Sequence, residues 1–137
     1  MSWDIYANIA WVTPILGALL TPIIAIIDRR LRDIISVLVI LISAASTSLL
    51  LPLLWTSSSL PIVYRHGWVE LPILGYLEFS ILLDPLSVVV ANMVAWISAL
   101  IFVYSLEYMH GDPGLTRYWF FMQLFVGNML LLVFSEN

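Results

Sequence analysis

Four stretches of the chain, Ile5 to Ile27, Ile34 to Tyr64, Pro85 to Leu106 and Tyr118 to Ser135, contain no Asp, Glu, Lys or Arg. About 20 apolar residues cross a hydrocarbon core of roughly 30 Å, so each run is long enough for one span. A water-soluble domain of 137 residues with 62% hydrophobic and 10% charged residues would expose large apolar patches. The mean hydropathy of +1.03 agrees that the solvent is lipid. The sequence therefore predicts an all-α membrane protein, with helices at about 5–27, 34–55, 85–107 and 116–135.

The first run follows Asp4 rather than a basic segment, and Pro14 and Pro22 interrupt it without a small-residue cleavage site. It is expected to be a retained helix rather than a signal peptide. Proline is tolerated in a membrane helix where neighbouring helices satisfy the carbonyls it frees. The second run is longer than one span needs, and Leu51-Pro52, then Trp55 and three serines, mark where its helix should stop.

Residues 56–83 form the one sizeable segment outside the spans. Within it YLEFSILL alternates, with Leu77, Phe79 and Ile81 on one face and Glu78 and Ser80 on the other. Pro72 and Gly75 supply turn chemistry. A small extracytoplasmic β-hairpin at about 60–83 is expected between helices 2 and 3, resting on another surface because an isolated hairpin is marginal in water. Arg65, His66 and Glu70 are most simply its polar face. Asp84-Pro85 is a strong helix start, with the carboxylate as cap and Pro at the first helical position. Asp112-Pro113-Gly114 is a tight turn that makes helices 3 and 4 an antiparallel pair.

All five basic residues are Arg, and three of them, Arg29, Arg30 and Arg32, lie in the DRRLRD link. Positive residues in short loops stay in the cytoplasm, which puts loops 28–33 and 110–117 inside, with Arg117, and the N-terminus and the hairpin outside. Trp3, Tyr6, Trp11 and Trp55 suit an interfacial aromatic belt.

The absence of cysteine excludes disulfides, thiolate metal sites and Fe–S ligation, so no catalytic, metal or cofactor residue is assigned to this chain. A net charge of −4 argues against nucleic acid as a partner. The polar groups within the spans are Asn92, Gln123 and Asn128, with Ser43, Ser46, Thr47 and Ser48 in the second run. Their simplest role is to join helices: Ser43 and Thr47 are four apart, as are Gln123 and Gly127. None of them titrates near neutral pH.

The stretch LEYMHGDPGLTRYWFF, residues 106–121, crowds Glu107, His110, Asp112 and Arg117 together. These four could form a proton entry relay, since His titrates near pH 7 and burial tunes carboxylates towards it. The simpler reading, which has the better claim on sequence alone, is a solvated turn with an interfacial anchor. Asp84 is open to the same two readings, as a proton site or as a cap. No carboxylate or lysine lies in the middle of any span, so these four helices are not expected to form a complete ion path by themselves.

The runs LLDPLSVVV and IFVYSLEYMHGDPGLTRYWFFMQLFVGNMLLLVFSEN resemble the N-terminal part of the antiporter-like membrane subunit of complex I, chain 5 or subunit L of NADH:quinone oxidoreductase. The same pattern is similar to the large subunit of Mrp-type Na+/H+ antiporters and to subunits of membrane-bound hydrogenases. The resemblance covers about residues 60–137. It carries onto Asp84 and Ser87, onto Tyr104, Tyr108 and Met109, onto Asp112-Pro113-Gly114 and onto Arg117, while Asn137 matches the residue before the family's fifth helix. It implies a chain that stops before that helix, with the glutamate and lysine of the ion path lying beyond its end. It also implies a scaffold for proton translocation in the plasma membrane of a prokaryote. Other membrane-arm subunits would be its partners, protons or Na+ the transported ions, and Fe–S clusters, flavin and quinone would lie in partner subunits. The enzyme is then the assembled translocating oxidoreductase, to which this chain adds no redox group. An Mrp-type antiporter or hydrogenase subunit is the alternative within transport, and a short four-helix accessory or assembly protein is the alternative of another class. A four-helix drug exporter would need an early intramembrane carboxylate, which the first run lacks.

Overall fold

A computed structural model describes residues 3–56, 60–71 and 75–136. Its elements are α1 (Trp3–Ile27), α2 (Arg29–Leu49), the single-turn α3 (Leu53–Thr56), β1 (Ile62–Leu71), β2 (Gly75–Leu83), α4 (Pro85–Tyr108) and α5 (Leu115–Phe134). α1, α2 with its α3 extension, α4 and α5 are each long and apolar enough to cross a membrane. This is the expected all-α membrane architecture with a small antiparallel hairpin.

The link between the first two spans is shorter than the sequence suggested. Asp28 alone separates α1 from α2, and its carboxylate accepts the Arg30 amide at 2.8 Å as an N-cap. The cap starts α2 at Arg29 rather than at position 34, so the arginines occupy its first turn instead of a loop. At its other end α2 closes at Leu49, and Leu50 to Pro52 form a turn before α3.

α1 stays helical through both prolines. Pro14 has no N–H to give the carbonyl of Ala10, and the Ser43 hydroxyl of α2 donates to that carbonyl instead. The freed group is thus satisfied from the neighbouring helix. Close approach elsewhere comes from small side chains. Ala91, Ala95 and Ala99 recur every fourth residue on the buried face of α4, and Gly127 of α5 lies so near α1 that a Cβ there would meet the Trp11 carbonyl oxygen at 3.1 Å. Phe102 and Trp119 fill the α4–α5 contact with ring centroids 5.2 Å apart.

α4 begins with a reciprocal capping box. Asp84 Oδ1 accepts the Ser87 amide at 2.8 Å, and Ser87 Oγ accepts the Asp84 amide at 3.0 Å, with Pro85 at the first helical position.

β1 and β2 pair antiparallel from Ile62 opposite Leu83 to Leu71 opposite Gly75, with an irregularity between Gly67 and Val69. The hairpin rests on the helices: Ile81 and Leu83 are fully buried, Phe79 lies 6.1 Å from Trp11, and the Glu136 amide donates to the Ser80 carbonyl beyond the end of α5. Ser80, on the face opposite Ile81, is buried as well, because the α5 terminus covers this end of β2. The side chains of His66, Glu70, Leu77 and Glu78, and the turn residue Pro72, lie outside the described residues.

Candidate functional site

Asp84, Glu107, His110, Asp112 and Arg117 all lie at helix ends. Glu107, His110, Asp112 and Arg117 are solvent-exposed. Asp112 Oδ1 accepts the Gly114 amide at 2.6 Å, and Gly111 takes a positive φ of 82°, which a residue without Cβ adopts at little cost. These interactions shape the turn between α4 and α5. Asp84 is engaged in its capping box.

The groups at depth divide differently from the sequence expectation. Gln123 is fully buried, and its Nε2 donates to Thr21 Oγ1 of α1 at 3.0 Å and to Ser36 Oγ of α2 at 2.9 Å. It joins three helices. The Thr21 and Ser36 hydroxyls in turn donate hydrogen bonds to the carbonyls of Gly17 and Arg32. Gln123 Oε1 is buried without a hydrogen bond and faces Gly17, where a Cβ would collide with it. Asn92 Nδ2 and Trp96 Nε1 of α4 both donate to Ser48 Oγ of α2, at 3.3 and 2.8 Å. Asn128, in contrast, is exposed and donates within its own helix to the Leu124 carbonyl. Ser46 and Thr47 also bond within α2. For these three the shorter local route wins, as hydroxyls and amides in helices readily bond to preceding carbonyls.

A second polar cluster lies one turn nearer the helix ends. Arg32 is 5% exposed, and its Nε and Nη2 contact Asp33 Oδ1 at 2.8 and 2.6 Å. Its Nη1 donates to Thr116 Oγ1 at 2.6 Å, and Trp119 Nε1 donates to the same Asp33 oxygen at 2.8 Å. A charge taken out of water needs such pairing to be tolerated. The available signal was the spacing of Thr116, Trp119 and Gln123, which places all three on one face of α5, together with Arg32 and Ser36 one turn apart on α2. Reading Arg32 as a loop residue hid the pattern.

Around this cluster the starts of α2 and α5 and the α4–α5 turn enclose a cavity of about 410 Å³, lined among others by Arg29, Arg30, Arg32, His110, Asp112 and Thr116. The predicted inner loops, 28–33 and 110–117, thus meet at one end of the bundle, and the hairpin packs at the other. Among the described residues no group of His, Cys, Asp or Glu is arranged to hold a metal ion.

Residues 68–119 match the family described as NADH-Ubiquinone oxidoreductase (complex I), chain 5 N-terminus. The chain is 30% identical to NAD(P)H-quinone oxidoreductase chain 5 of Picosynechococcus sp., over 96% of this chain and 21% of that protein. It is 30% identical to the chloroplastic NAD(P)H-quinone oxidoreductase subunit 5 of Physcomitrium patens, over 80% of this chain and 15% of the relative. It is 29% identical to NADH-quinone oxidoreductase subunit L of Rickettsia conorii, over 82% and 17% respectively. The chain spans about a fifth or less of the length of these relatives. In sequence the chain is thus similar to the N-terminal part of the chain 5 or subunit L proteins of NADH-quinone oxidoreductase.

Proposed function

We propose that this chain supplies the N-terminal membrane helices of an antiporter-like subunit in a proton-pumping NADH:quinone oxidoreductase-type complex, and that it scaffolds the translocation path without carrying the ion itself. The observation that supports this most is the division of polar groups. The described ionisable side chains of the spans stand at helix ends, while the groups at depth are hydroxyls and amides such as Ser43, Ser48 and Gln123 that tie helix to helix. A proton path needs titratable groups at depth, which other parts of such a complex would provide.

In this reading the partners are other membrane-arm subunits, the transported ions are protons or Na+, and Fe–S clusters, flavin and quinone belong to partner chains. The membrane is the plasma membrane of a prokaryote. The end that gathers Arg29, Arg30, Arg32 and Arg117 faces the cytoplasm, and the N-terminus and hairpin face outward; the excess of arginine at that end supports the orientation.

Affinity isolation of the tagged chain from its native membrane in mild detergent tests the proposal. Co-isolation with Fe–S and quinone-binding subunits and NADH:quinone reductase activity is the expected result. Recovery with cation/proton antiporter subunits and no redox protein would replace it with the Mrp-type reading, and recovery of the chain alone would favour an accessory protein.

A further inference from the structure

A partly open cavity and a shallower, wider groove adjoin at the arginine-rich end and have different chemistry. The first is the 410 Å³ space bounded by Arg29, Arg30, Arg32, His110, Asp112 and Thr116. At about 30 Å³ per water it would hold roughly a dozen waters, which is room for a phosphodiester with its glycerol. The second, about 480 Å³, shares Pro113 and Thr116 with the first and continues along α1 and α5 past Pro22, Phe120 and Phe121, with Arg117 at its edge. The first is polar, with three arginines against the two aspartates Asp33 and Asp112, and the second is largely apolar.

The charges in the first cavity are not equally available. Arg32 is neutralised by Asp33 and held by Thr116. Asp112 directs one oxygen to the Gly114 amide, and Asp28, beside the cavity, directs one to the Arg30 amide. Arg29 and Arg30 are exposed, and among the described residues their guanidinium groups form no ion pair within 4 Å. α5 adds to the positive potential, since its N-cap is Gly114, which contributes no side-chain hydrogen bond to the first-turn amides. A basic pocket between membrane helices, at the level where the spans end, suits a lipid phosphate.

We propose that the cavity and the groove form one binding site for an anionic phospholipid, with the phosphate at Arg29 and Arg30 and an acyl chain lying along Pro22, Phe120 and Phe121. A free phosphate would use only the first cavity. A phospholipid uses both, and the shared wall at Pro113 and Thr116 joins them in the order that a headgroup and its chain require.

Native mass spectrometry of the full chain in neutral detergent, titrated with phosphatidylglycerol or phosphatidylcholine of equal chain length, tests this. The unaltered chain should retain phosphatidylglycerol about tenfold better. The double variant Arg29→Gln, Arg30→Gln should lose that preference, and Arg29→Lys, Arg30→Lys should keep most of it. Equal retention of the two lipids by the unaltered chain overturns the site, as does a preference that survives the glutamine changes. Displacement of phosphatidylglycerol by an equal concentration of glycerol phosphate would also overturn the lipid assignment, in favour of a soluble phosphate.

Discussion

Ser43→Ala removes one hydroxyl, and its cost should depend on a residue in another helix. The Ser43 hydroxyl donates to the carbonyl of Ala10, a residue with no exposed surface, whose usual helical donor is missing because position 14 is proline. Without Ser43 that carbonyl is buried and unpaired, which costs about 1–3 kcal/mol by general measurements. Interhelical hydrogen bonds in membranes average only about 0.6 kcal/mol and reach about 1.7, so the expected loss is about 1–2 kcal/mol. Pro14→Ala restores an N–H four residues after Ala10. In that background Ser43→Ala should cost less than about 0.5 kcal/mol, giving a coupling energy of about 1 kcal/mol between positions 14 and 43. The four proteins would be compared by denaturant unfolding in detergent, followed by circular dichroism at constant slope. Additivity within about 0.3 kcal/mol would refute the argument that Ser43 replaces the donor that Pro14 lacks.

Gln123→Met should be close to neutral in the same assay. It forfeits two bonds of about 0.6 kcal/mol each but also removes the unpaired Oε1, whereas Gln123→Ala opens a cavity and should cost about 2 kcal/mol or more; equal losses for Met and Ala would point to an unseen partner of the amide. Gly127→Leu should separate α1 from α5 and destabilise by about 3 kcal/mol, while Asn128→Ala beside it should change stability by less than about 0.5 kcal/mol; the reverse ranking would contradict the assigned helix faces. Asp84→Ala removes one half of the α4 capping box, worth about 1 kcal/mol, and should lower the amount of assembled complex more than the proton transfer per complex. A variant complex of normal abundance with proton transfer abolished would make Asp84 part of the ion path.

The four spans were legible because apolar length is a strong and local signal, and the α4 start was legible because Asp, Pro and Ser occupy successive capping positions. The start of α2 was not, since a run of arginines reads as a loop until Asp28 is seen to cap it. The burial of Ser80 was not legible, since strand alternation separates the two faces of a hairpin but does not show that the end of α5 covers one of them. Gln123 bonds across to α1 and α2, whereas Asn128, also an amide on α5, bonds within its own helix. Residue type announces that a polar group needs a partner, and only packing decides which partner is nearest. The Arg32–Asp33–Thr116–Trp119 cluster shows the same limit, since its members come from sequence positions more than eighty apart.

Central to the proposed topology are four crossings of the lipid that bring Arg30 and Asp112 to one end of the bundle and Glu70 to the other side of the membrane. Because the chain contains no cysteine, single replacements Arg30→Cys, Asp112→Cys and Glu70→Cys can be probed with a membrane-impermeant thiol reagent on sealed vesicles of known orientation. This topology predicts that positions 30 and 112 react from one side and position 70 from the other. Labelling of positions 112 and 70 from the same side would contradict it.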